Sequence, residues 1–62
     1  MKLIELLDVL NDNCAVAVYN EDDEQLLDEY DGKNSIDEKY NSWIVTEVIG
    51  CQGRFEVYAK ED

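Results

Sequence analysis

The chain has 62 residues, 45% of them hydrophobic, and a formal charge of −11 from sixteen acids against five bases. That length supports a single domain, residues 1–62, and the patterned apolar content excludes a disordered acidic tail. No apolar run approaches the ~20 residues of a membrane span, and Glu5 and Asp8 break the first one, so neither export nor a membrane is expected and the expected setting is cytoplasmic.

Lys2 to Leu10 reads as a short amphipathic helix, with Leu3, Leu6, Leu7 and Leu10 at i, i+3, i+4 and i+7 and Ile4 beside them. So few residues are not helical alone in water, so the leucine face must pack on something. Asn11-Asp12-Asn13 is the expected stop, since Asn and Asp tolerate the left-handed conformation that closes helices.

The stretch from Cys14 to Tyr30 organises the rest. Cys14 to Tyr19 is apolar on both faces, with Cys14, Val16 and Val18 on one and Ala15, Ala17 and Tyr19 on the other. That pattern predicts a central strand covered on both sides. Asn20 to Glu24 is a turn by composition and lacks the glycine of a tight primed turn, so a hairpin loop of three to five residues is expected. Gln25 to Tyr30 returns as an edge strand, its carboxylates discouraging unwanted pairing.

After a turn at residues 31–34, Ser35-Ile36-Asp37-Glu38 matches a capping box. It predicts a helical turn or two up to Asn41, with Ile36 and Tyr40 on one side. Trp43 to Cys51 is the longest β-prone run, in which Gly50 marks a bulge or the start of a turn, and Gln52-Gly53 closes a hairpin. Arg54 to Lys60 alternates, with Phe55, Val57 and Ala59 facing the core and Arg54, Glu56, Tyr58 and Lys60 facing away.

The expected fold is α+β, in the order α-β-β-(short α)-β-β, with the N-terminal helix on one face of a four-stranded antiparallel sheet. One helix covers one face. Tyr19, Tyr58 and Trp43 are expected on the other, as a candidate aromatic interface.

Most catalytic chemistry lacks its residues. With no histidine there is no Ser-His-Asp or Cys-His pair and no H-E-x-x-H site, and the three glycines form no phosphate-binding loop. Two cysteines supply half of a tetrahedral zinc site, and Cys14 and Cys51 read as reduced, buried thiols. Glu21-Asp22-Asp23-Glu24 offers carboxylates to a hard cation but lacks the D-x-[DN]-x-[DN]-G spacing of a calcium loop. The expectation is therefore no enzyme, no metal and no cofactor. Small domains without such supports often self-associate, and self-association through the open sheet face is expected here.

Lys2, Lys33, Lys39, Arg54 and Lys60 form no basic patch by sequence, which argues against direct nucleic-acid binding. The acids are concentrated instead: Glu21, Asp22, Asp23, Glu24, Asp28 and Glu29, followed by Asp31, Asp37 and Glu38. On an exposed strand, same-face carboxylates recur about every 6.7 Å, so this stretch is a candidate partner-binding surface. The leading reading is a non-enzymatic protein-interaction module. The alternative is an acidic mimic of nucleic acid that occupies the basic groove of a DNA- or RNA-binding enzyme, of the antirestriction or anti-CRISPR type.

Lys2-Leu3-Ile4-Glu5-Leu6-Leu7-Asp8-Val9-Leu10, Val16-Ala17-Val18-Tyr19-Asn20, the Leu26-Leu27 pair, Glu47-Val48-Ile49 and Phe55-Glu56-Val57-Tyr58 together give the chain a resemblance. It resembles short acidic hypothetical proteins of phages and mobile elements in Gram-positive bacteria. It departs from them at Glu21-Asp22-Asp23-Glu24, where they usually show a glycine-containing turn. The resemblance implies a bacterial or phage cytoplasmic setting and transfers no catalytic residue.

Overall fold

The computed structural model describes residues 1–10, 13–30 and 36–62, and the side chains of Tyr30 and Cys51 fall outside that description. The elements are α1 (Leu3–Val9), β1 (Ala15–Asn20), β2 (Leu26–Tyr30), a single 3-10 turn (Glu38–Tyr40), β3 (Ile44–Cys51) and β4 (Arg54–Lys60). The expected stop at residues 11–13 falls mostly outside the described residues, and so does Ser35 of the expected capping box. The visible cap of the short turn is Asp37, whose carboxylate accepts from the Lys39 backbone N–H at 3.0 Å.

The four strands form one sheet in the order β2-β1-β4-β3. Both expected hairpins are present and antiparallel, and β1 is central with β2 at an edge. The sheet is nevertheless mixed rather than antiparallel, because β1 and β4 run parallel, with Val18 opposite Val57 and Tyr19 opposite Tyr58. A tight turn forces antiparallel pairing only within its own hairpin. The link between the hairpins, residues 31–43, is long enough to carry the chain back along the sheet, as a parallel neighbour requires. Gly50 sits in regular pairing opposite Phe55, and the bulge of β3 falls at Thr46 instead. The Thr46 hydroxyl donates to the Tyr58 carbonyl at 3.1 Å. A bulge there re-aims the strand.

The register sorts the side chains onto two faces. Val16, Val18, Val57 and Ala59 meet Leu3, Leu6, Leu7 and Ile36 in the core, all buried. Leu27, at the extra residue of a second bulge in β2, packs against this cluster from the edge. Phe55 shares the core face by register but lies outside the cluster, its ring 3.8 Å from the position a Cβ on Gly50 would take.

Helix α1 is held by packing and by its first turn. The Leu3 and Ile4 N–H groups, which have no partner within a helix, donate to the carbonyls of Trp43 (2.8 Å) and Asn41 (3.1 Å). Glu5 reaches back to accept from the Lys2 N–H at 2.7 Å, the second half of a capping box. Just before it, Lys2 bridges Ile44 in antiparallel sense and the Val45 N–H donates to the Met1 carbonyl. The helix is thereby fixed to the start of β3. Among the described residues no helix is long and apolar enough to cross a membrane.

Candidate functional site: the open sheet face

The face opposite α1 is built from alternate residues of all four strands. Tyr19 and Tyr58, brought opposite each other by the parallel pairing, stack with ring centroids 5.2 Å apart. Trp43 does not join them. It makes an edge-on contact with Tyr40, centroids 5.4 Å apart, and packs on the core cluster on the helix side. It belongs to the link rather than to a strand, so strand alternation does not govern its side.

Below the tyrosines, β1 presents only Ala15 and Ala17, opposite Arg54 and Glu56 of β4. Glu29 of β2 flanks Ala17 on its other side. The small side chains let the Arg54 guanidinium reach across β1. It donates to Glu56 at 3.0 Å and to Glu29 at 3.4 Å, and Ala17 beneath is fully buried. The Tyr19 hydroxyl donates to the same Glu56 oxygen at 3.2 Å. Partial burial first, and then this hydrogen bond, push the Tyr19 phenol above its ordinary value of 10.0. Glu29, Arg54, Glu56 and Tyr19 therefore form one polar chain across three strands.

Beside the tyrosines lies an open depression of about 500 Å³ lined by Glu21, Glu24, Thr46, Glu47, Ile49 and Tyr58. Two of its acids come from the β1–β2 turn, held against the sheet because the Glu21 N–H donates to the Ala59 carbonyl at 2.8 Å. Asn20 and Asp23 shape the turn, accepting from the N–H groups of Asp22 and Gln25 at 2.9 and 3.0 Å. Glu24 takes a positive φ of 58°, which is the geometry the missing glycine would have supplied.

The six acids expected as one surface are thus divided. Glu21 and Glu24 line the depression and Glu29 is bound to Arg54, while Asp22 and Asp23 are exposed in the turn. Asp28 is opposite Val18, on the helix side. Its two oxygens accept from the Glu29 N–H at 3.1 Å and from the Asp37 N–H at 2.9 Å, tying the link to β2. Glu47 enters the site unforeseen. It stands opposite Tyr58 only because of the Thr46 bulge, which no residue in the sequence announces.

Cys14 is a free thiol, half-buried against the core cluster. Among the described residues no group of three or more His, Cys, Asp or Glu can hold a metal ion. No protein family, curated protein or solved structure matches the chain.

Proposed function

We propose that this chain is a non-enzymatic protein-interaction module whose open sheet face docks a basic segment of a partner protein. The carrying observation is the placement of Glu21, Glu24 and Glu47 around one wall of the stacked tyrosines, at Tyr58, on a face that no described element covers. A lysine or arginine entering the depression meets carboxylates for charge and a ring face for cation–π contact. The Thr46 hydroxyl is already committed to the Tyr58 carbonyl, which supports binding rather than nucleophilic chemistry. The charge of −11 steers a basic partner in and repels an acidic one.

The face is less suited to pairing with its own copy, because Glu21, Glu24 and Glu47 of one chain would meet the same acids of another. Like charges brought together across an interface are costly.

The test is an NMR titration with a short arginine–glycine peptide. Amide shifts are expected at Glu24, Glu47, Ile49 and Tyr58, with binding that weakens steeply as NaCl is added. Glu47→Lys should abolish it, and Glu38→Lys in the exposed 3-10 turn, outside the depression, should not. Shifts spread evenly over both faces, or equal losses in the two variants, would leave only non-specific charge attraction and end the proposal.

A further inference from the structure

The two edges of the sheet are guarded unequally. Edge strand β2 carries Asp28 and Glu29 in its middle, and Asp28 also holds the link beside it, as natural edges do to prevent pairing with other chains. Among the described residues, edge strand β3 is covered only at its start, by Met1 and Lys2. Among the described residues this outer pairing does not continue past Val45. From Glu47 to Cys51 the strand has a single charged residue, no proline and no bulge. It exposes Val48 (43%) on the helix side and Ile49 (37%) on the open side.

We infer that this free edge pairs with the same edge of a second copy of the chain, antiparallel about a two-fold axis at Ile49, joining the sheets into one of eight strands. Charge selects the occupant. In a chain of −11, this nearly neutral stretch is where two copies meet the least repulsion. The register keeps their acids apart as well. Centring on Ile49 places Glu47 opposite Cys51 of the second copy, so the two Glu47 residues lie about 14 Å apart along the strands. That exceeds the screening length of about 8 Å at physiological salt. Ile49 then faces Ile49, and Val48 faces Gly50, over which the Phe55 ring already lies. Met1-Lys2 at one end and the Gln52–Gly53 turn at the other prevent the register from sliding. The two open faces end on the same side, so a dimer doubles the docking surface, but the pairing stands whether or not that surface binds a basic segment.

An edge contact this short buries less than the about 1,200–2,000 Å² of a stable interface. The dimer is therefore weak and concentration-dependent. Sedimentation equilibrium from about 10 µM to about 1 mM should show monomer giving way to dimer, more completely in high NaCl, which screens the repulsion. Val48→Glu on the helix side, which brings the carboxylates of the two copies about 7 Å apart along the strands beside the axis, should return the chain to monomer while leaving the arginine–glycine peptide bound. If circular dichroism shows that variant unfolded, Ile49→Glu, at the axis itself, serves in its place as a test of the dimer alone. A monomer at every concentration and salt level overturns the inference, as does a dimer that survives the substitution. A dimer that salt weakens and Tyr58→Glu breaks places the contact on the open face and overturns it too.

Discussion

Tyr19 shows how much one residue's position depends on the strand beside it. Its hydroxyl meets Glu56 and its ring meets Tyr58 because β4 runs parallel to β1 in this register. Its phenol is held above 10.0, by partial burial and then by Glu56. A raised pKa on an acid favours the protonated form in the folded state, so the contribution to stability is full below pH 10 and is lost as pH rises through the folded value. Ultraviolet titration at 295 nm should show a tyrosine component, that of Tyr19, ionising above the ordinary value. Tyr19→Phe should remove that component and Glu56→Gln should move it down, and a component unmoved by Glu56→Gln would disconnect the pair. The sequence announces that Tyr19 and Tyr58 point away from the core, since each alternates with core residues. It does not announce Glu56 as the partner of Tyr19, because that depends on a contact between residues far apart in the chain.

At the scale of elements, the two hairpin turns solve one problem differently. Gln52-Gly53 places glycine where φ is +84°, with open space around the missing Cβ, whereas the β1–β2 turn places Glu24 at φ 58°. A non-glycine residue there costs about 1–2 kcal/mol. Glu24→Gly should therefore raise stability, by up to about 1 kcal/mol after the added unfolded-state entropy. Gly53→Ala should lower it by about 1 kcal/mol. Urea denaturation of both variants reads the signs, and a destabilised Glu24→Gly would mean that its carboxylate matters more to the turn than its backbone does. Element types and the β4 boundaries are legible because apolar spacing and turn residues are local signals. The orientation of the second hairpin is not, since no residue in the link encodes a direction. The same holds for the bulges at Leu27 and Thr46, which are recognisable only once a partner strand is counted against them. Trp43 is the instructive miss: aromatic character marks a residue for contact and says nothing of which side of a sheet it will occupy.

The whole molecule sets its small core, eight buried residues among those described, gathered between α1, the link and one sheet face, against a charge of −11. Its melting temperature should therefore rise with ionic strength, as the screening length falls from about 30 Å at 10 mM to about 8 Å at 150 mM. Each kcal/mol of relieved repulsion moves the midpoint by about 4–8 °C in a domain of this size. Calorimetry at low protein concentration, where no dimer forms, isolates the effect, and a salt-independent midpoint would mean that the acids are spread too widely to repel. The parallel seam between β1 and β4 carries a consequence for how the chain assembles. Each hairpin closes over neighbouring residues and can form early, whereas the seam joins residues from opposite ends of the sequence and must wait for a long loop to close. Docking of the hairpins along Val16-Ala17-Val18 is then the step that commits the molecule. Until it occurs, neither the tyrosine stack nor the bridge from Arg54 to Glu29 exists. The open sheet face is thus among the last features to appear during folding, and it reports that folding is complete.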